Sequence, residues 1–335
     1  MRKLILVILL SFYACEFRSS DENVLNASKR IVAIEARKLK DGPTAGQGGD
    51  VVVVDMETGR KFYVTNDYYI NRNPQWSPGG KSVIYLTNRE GNSRWSRNFL
   101  AEPHQNKLYR FNTEDKKLVE IFYDYEGKKK KSNIYSLFWS RCNDLLYFKT
   151  SNYRRDSHTL ISTIYKLSSS GGLAEKIVEL EDSPNVRNFV VANSGNAIVY
   201  AFSRWDRQQQ NYIGGMNIYN VAEKSSINLF DTPGYSITDV SRDGMSVLIS
   251  DAYNVYEYDV VNYALDTLLS ISPEFIHPIP KYIDREEIAM FVHRPVEIYP
   301  DNYVVELIKY NRSTNEIEKM SDRKNMWIDM SVYAE

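Results

Sequence analysis

The sequence holds only two cysteines and four histidines in 335 residues. A disulfide scaffold is thereby excluded. None of the histidines stands at His-x-His or His-x3-His spacing, so the local pattern of a zinc site is missing and no metal or other cofactor is expected. Charge of either sign is also lacking in excess: 42 Lys and Arg face 43 Asp and Glu, a net charge of −1. A nucleic-acid partner is not expected, because such binders carry a basic surplus. No long helical periodicity, low-complexity tract or second-domain boundary interrupts the chain. Gly-x-Ser-x-Gly is absent, which removes the nucleophile elbow of the serine hydrolases. Gly80-Lys81-Ser82 ends like a phosphate-binding loop, but position 75 is Gln where that loop needs Gly.

What is abundant is tyrosine, 25 residues, together with β-branched residues, and both favour strands. The pattern is clearest from Asn73 to Asn92. An extended run ends at Trp76, Ser77-Pro78-Gly79-Gly80 makes a tight turn, and a strand alternates about Val83 and Tyr85. Copies recur at Tyr135–Phe148, Phe189–Tyr200 and Ile237–Ile249, with a degenerate one at Ile279–Phe291. Each copy leads into a third strand of one type: Lys107–Phe111, Thr163–Leu167, Asn217–Val221, Val255–Tyr258 and Val305–Tyr310. A fourth strand follows, as at Lys117–Phe122 and Glu175–Leu180. A repeat of about 40–50 residues with four strands per unit predicts a propeller.

The anchor Asn-Pro-Gln-Trp-Ser-Pro-Gly-Gly-Lys-Ser-Val-Ile-Tyr-Leu-Thr resembles the WD40-like (PD40) repeat of TolB-like β-propellers, with Gly79 where that family usually has Asp. The resemblance covers the repeats, roughly residues 29–335, and not the N-terminal α/β domain of TolB. It implies an all-β, six-bladed propeller. At the C-terminal side, Trp327-Ile328-Asp329-Met330-Ser331 matches Ile237-Thr238-Asp239-Val240-Ser241 but has no successor strand. Arg30–Glu35, Val51–Asp55 and Lys61–Val64 supply three outer strands that lack an inner one. The sixth blade is therefore expected to pair residues 30–35 with residues 327–332, which closes the ring and removes two open edges.

The first residues predict export. Arg2-Lys3 precedes an apolar run from Leu4 to Leu10, far short of the roughly 20 residues a bilayer crossing requires. Ser11-Phe12-Tyr13-Ala14-Cys15 resembles a bacterial lipobox, which implies a signal peptide over 1–14, lipidation at Cys15, a polar tether over 15–28 and a single propeller over 29–335. Removal of Arg2 and Lys3 leaves 40 basic against 43 acidic residues, a net of −3. The expected address is the outer membrane, by lipid anchor, on its periplasmic or surface side.

Strand direction sorts the connections. Those from second to third strand open on one end of the ring, and four of them are long. They carry Arg94, Trp95, Arg97 and His104; Tyr153, Arg154, Arg155 and His158; Arg204, Trp205, Arg207 and Tyr212; and His293 and Arg294, with His277 expected at the same end. Aromatic and guanidinium groups suit carboxylates, peptides and sugars. The reading is a non-enzymatic, monomeric envelope lipoprotein that binds a partner protein, peptide or glycan on this face. The alternative is a polysaccharide lyase or hydrolase that uses the same histidines and arginines. Lys128–Lys131 reads as a solvated loop between two blades, and Cys142 as an incidental small residue in a turn.

Overall fold

The structure is a computed structural model that describes residues 20–36, 49–67, 69, 71–87, 107–124, 134–141, 143–154, 159–180, 186–206, 210–231, 234–272, 275–295, 303–320 and 327–334. The outer part of one blade comes first: β1 (Lys29–Ala36), β2 (Gly49–Asp55) and β3 (Lys61–Tyr63). Blade 1 is β4 (Asn71–Trp76), β5 (Ser82–Thr87), β6 (Lys107–Asn112) and β7 (Leu118–Ile121). Blade 2 is β8 (Ile134–Trp139), β9 (Leu145–Arg154), β10 (Thr159–Ser168) and β11 (Glu175–Leu180). Blade 3 is β12 (Val186–Ala192), β13 (Ala197–Asp206), β14 (Asn211–Asn220) and β15 (Ser225–Phe230). Blade 4 is β16 (Ser236–Val240), β17 (Ser246–Ser250), β18 (Asn254–Asp259) and β19 (Ala264–Ser270). Blade 5 is β20 (Ile276–Tyr282), β21 (Glu287–Pro295), β22 (Tyr303–Asn311) and β23 (Glu316–Lys319), and β24 (Trp327–Ala334) completes blade 6. The described residues thus form six four-stranded antiparallel blades, the architecture expected from the repeats.

The sixth blade has the strand order β24-β1-β2-β3. Arg30 pairs with Tyr333, Ile31 with Val332, Ala33 with Met330 and Glu35 with Trp327. Closure thus joins the two ends of the chain, as the unmatched repeats require. Ser331 Oγ then accepts the Trp76 amide at 3.3 Å, tying blade 6 to blade 1.

The repeat turn shows why its residues recur. In blade 1 the Gly80 amide donates to Ser77 O at 2.9 Å, and the Ser82 amide donates to Ser77 Oγ at 3.0 Å. In blade 4 Gly244 and Ser246 make the same bonds to Ser241, both at 2.9 Å. Gly80 and Gly244 have φ of 65° and 77°, a left-handed conformation that suits glycine. Asp243 accepts from Ser241 Oγ at 2.6 Å and from the Met245 amide at 2.9 Å, and these bonds hold its carboxyl below the usual range. Gly79, at the equivalent place, forgoes those two bonds while the turn persists.

The core lies between blades. Trp76 packs with Val32, Val53 and Phe62 of blade 6 and with Val83 and Tyr109 of blade 1. Trp139 packs with Ile84, Leu108 and Ile121 of blade 1 and with Phe148 of blade 2. Truncating a buried Trp costs about 3–5 kcal/mol, so each anchor is a main inter-blade contact.

Two features extend beyond the sequence reading. Pairing in blade 2 continues to Arg154↔Thr159 and in blade 3 to Asp206↔Asn211, so much of the expected loops 151–161 and 203–213 is strand. Thr, Tyr, Ile and Trp in these arms favour strand, and pairing satisfies their backbone groups. Within the expected tether, residues 22–26 form a 3-10 turn whose Val24 and Leu25 are buried against Phe62 and Val32. Asp21 caps it by accepting the Asn23 amide at 3.0 Å, and the Arg30 guanidinium donates to Leu25 O. The chain is therefore docked from Ser20 onward, because two apolar side chains gain more from burial than a tether gains from freedom.

A charged funnel on the repeat-turn end

The turns from first to second strand converge at the end of the ring opposite the long connections. They line a cavity of about 680 Å³. Its wall comes from Trp76 and Pro78 of blade 1, Arg141 of blade 2, Arg242 and Asp243 of blade 4, and Tyr282 and Arg285 of blade 5. Glu257 of blade 4 and Arg312 of blade 5 complete it. Residues from four blades meet there, which places the cavity at the mouth of the central channel.

A hydrogen-bonded chain runs across this mouth. Arg141 Nη2 donates to Asp239 Oδ2 at 3.2 Å, and the Tyr282 amide donates to the same oxygen at 2.9 Å. The Tyr282 hydroxyl donates to Glu257 Oε1 at 2.6 Å. Arg312 grips Glu257 with both amino groups, at 3.2 Å and 2.9 Å. Burial, then the neighbouring Glu257, push the Tyr282 phenol far above its ordinary pKa, so it remains a donor. Asp239 and Glu257 are thus engaged as acceptors from guanidinium groups, a bidentate geometry at Glu257 that fixes position as well as charge. Arg242 and Arg285 stand exposed at the rim, with Arg285 close enough to Asp243 to lower its pKa further.

Of the residues expected on the opposite face, Arg94, Trp95, Arg97, His104, Arg155, His158 and Arg207 lie outside the described residues, as does Cys15. Tyr153 and Arg154 fall on β9, Arg204 and Trp205 on β13, and Tyr212 on β14, where Trp205 pairs with Tyr212. His277 and His293 do come together. Their rings meet edge to face at 6.2 Å, and His293 Nδ1 lies 3.2 Å from His277 O. His277 holds a left-handed φ of 53° at the start of β20. Burial lowers the pKa of His293. Arg294 turns to structural partners instead: its guanidinium covers Phe275 at 4.9 Å and lies 3.4 Å from the buried Glu306.

The funnel arginines were absent from the sequence reading, although a signal existed. Aligned on the turn serine, Arg141, Arg242 and Arg285 occupy one column with Pro78 and Ser194. A recurring arginine in one turn column points all its copies at the same end of the ring. Arg312 and Glu257 carry no such signal, because they come from other strands.

No family model matches the chain, and no curated protein matches it by sequence. Solved structures do match. TolB from Acinetobacter baumannii superimposes with a TM-score of 0.61 at 12% identity, over 92% of this chain and 67% of that one. A protein assigned as TolB from Agrobacterium tumefaciens gives 0.55 at 13% identity, over 90% of each chain.

Proposed function

Taking a TolB-like propeller as the premise, we propose that this protein is a non-enzymatic, lipid-anchored component of the bacterial cell envelope. Its funnel binds a partner protein or peptide, with a glycan as the other ligand class. The observation that carries this reading is the convergence of Arg141, Arg242, Arg285 and Arg312 on one cavity of about 680 Å³. That size lies within the roughly 300–1,000 Å³ of ordinary ligand pockets. Asp239 and Glu257 keep Arg141 and Arg312 in place, while the rim arginines 242 and 285 meet acidic or carboxylate groups of the partner. Carboxylates already engaged by guanidinium groups are poorly disposed to act as acid and base, which favours binding over catalysis. The lipid on Cys15 holds the propeller at the membrane.

The test is capture from solubilised envelope by the immobilised protein. Wild type retains a discrete set of proteins; Arg242→Glu with Arg285→Glu loses it, and His277→Ala with His293→Ala keeps it. Capture that survives the charge reversal overturns the funnel as the docking site. The His277–His293 pair supports a second reading, an envelope or plant polysaccharide lyase or hydrolase on the opposite face. Turnover of such a polymer, abolished by His158→Ala or His293→Ala, would establish that reading in place of the first.

A further inference from the structure

The docked segment of residues 20–26 limits where a lipid on Cys15 can sit. The Tyr63 amide donates to Ser20 Oγ at 2.8 Å and the Asp21 amide to Lys61 O at 2.9 Å, so the segment lies along β3 on the outer rim of blade 6. Glu22 pairs with Lys116, and Val24 and Leu25 join the cluster that Leu118 borders, which carries the segment onto blade 1. Five residue steps separate Ser20 from Cys15, at most about 18 Å of chain. A lipid on Cys15 therefore stays within that reach of the rim.

This part of the rim carries the two most exposed large apolar side chains among the described residues, Phe122 at 74% and Leu173 at 76%. Phe122 follows β7, four residues past Leu118 and at most about 14 Å from it. The backbone holds the two side chains together. Residues 123–124 form a short parallel ladder with residues 172–173, and the Gly172 amide donates to Phe122 O at 3.0 Å. Strand alternation turns Tyr123 and Ala174 toward the core between blades 1 and 2, and leaves Phe122 and Leu173 on the open side. Gly171 permits the approach: its φ is 91°, and a Cβ there would stand 2.5 Å from Phe122 O. Val119 of β7 is 47% exposed as well. Nearby charge is mixed, with Lys116 and Lys117 beside Glu114 and Asp115, so the patch offers apolar contact and no net attraction to an anionic surface.

We propose that Phe122 and Leu173 dip into the lipid leaflet that holds the anchor on Cys15. The propeller then stands on the rim of blade 1, and both ends of its channel open to solution. An apolar pair kept within a short reach of an acyl chain meets that chain's own leaflet before any other surface, and a second contact is what turns a tether into a fixed orientation. The inference rests on the lipid anchor of the proposed function, and it leaves the funnel free for its partner.

The test uses the mature lipidated protein in a Cys142→Ser background, reconstituted into phosphatidylcholine vesicles. An environment-sensitive fluorophore is placed in turn on Phe122→Cys, Leu173→Cys, Ile227→Cys and Val261→Cys. The probes at 122 and 173 shift to the blue and are quenched by a nitroxide-labelled lipid. Those at 227 and 261, exposed on blades 3 and 4, do neither. Phe122→Asp abolishes quenching of the probe at 173 while the vesicles retain the protein, and high salt leaves the wild-type signals unchanged. The mass of the Cys15 peptide separates the two readings. An unmodified Cys15 overturns the anchor and this inference with it, whereas a lipidated, vesicle-bound protein with unquenched probes at 122 and 173 overturns this inference alone. Equal quenching at all four positions overturns it too, by showing no preferred side. Shielding of 122 and 173 in native envelope but not in pure lipid overturns it by assigning the pair to a partner protein.

Discussion

Arg141 and Asp239 are 98 positions apart in the chain, yet Nη2 of one lies 3.2 Å from Oδ2 of the other. Arg141 belongs to the first turn of blade 2 and Asp239 to the inner strand of blade 4, so the bond crosses the mouth of the channel past blade 3. Asp239 also receives the Tyr282 amide of blade 5. One carboxylate thereby joins three blades, and it is the fixed point about which the funnel is arranged.

Removing one member of that pair should leave the other poorly solvated. Asp239→Ala is expected to cost about 2–3 kcal/mol, below the roughly 3–5 kcal/mol of a fully buried pair because Arg141 keeps some water. Arg141→Ala should cost less, since the Tyr282 amide still has its acceptor. The double variant should fall short of the sum by about 1 kcal/mol in urea unfolding. Strict additivity would show that the two side chains do not interact in solution.

Trp139 tests the blade packing. Its ring is buried between blades 1 and 2, and its Nε1 donates to Asp144 Oδ1 at 2.9 Å. Trp139→Ala should destabilise by about 3–5 kcal/mol, and Trp139→Phe by less, because Phe refills part of the cavity. A loss below roughly 1 kcal/mol for the alanine variant would mean that this ring is not an inter-blade anchor.

Closure can be trapped chemically. Ala33→Cys and Met330→Cys stand opposite in the register of blade 6, and in a Cys142→Ser background they should cross-link under mild oxidation. Deleting residues 327–335 should collapse the cooperative unfolding transition, since it removes the inner strand of blade 6 and leaves β1 paired with β2 alone. Trimming residues 16–19 should be nearly neutral, whereas trimming through residue 27 should not, because it removes the buried Val24 and Leu25. A folded double-cysteine protein that never links would contradict the pairing.

The proposed membrane attachment rests on one residue, Cys15. Cys15→Ser should move the protein from the membrane to the soluble envelope fraction, and globomycin, which blocks lipoprotein signal processing, should leave an unprocessed precursor. Unchanged membrane retention of the serine variant would rule out the lipid anchor.

Acid should loosen the His277–His293 contact. Burial holds the pKa of His293 below that of the unfolded chain, so between the two values the unfolded state binds more protons. Stability from this group is therefore complete above about pH 6.5, the unfolded value, and is lost as pH falls below it. The drop in Tm between pH 7.5 and pH 5.5 should be smaller for His293→Gln than for wild type. An equal drop would show that His293 does not titrate differently on folding.

Much of this fold was legible in the repeats. The period, the Trp-Ser turn and the strand types define a blade without reference to any partner, because each is a local pattern of alternation and turn chemistry. Even closure could be read, since an inner strand without successors at one end and outer strands without an inner one at the other have a single economical solution. The same locality explains the misses. Whether Thr159–Ile161 belongs to a loop or a strand depends on pairing with Asn152–Arg154, which composition alone leaves open. Val24 and Leu25 look like two apolar residues in a polar linker until Phe62 and Val32 are placed beside them.

The site divides in the same way. The sequence determined that His277 and His293 share one end of the ring, and that a column of arginines, Arg141, Arg242 and Arg285, shares the other. Both follow from strand alternation. What only the tertiary structure decided is which side chains reach each other across the channel. Glu257 comes from a third strand and Arg312 from the end of another, and Asp239 meets Arg141 two blades away. Curvature of the ring sets those distances. It is the sum of six blade packings, and no single repeat encodes it.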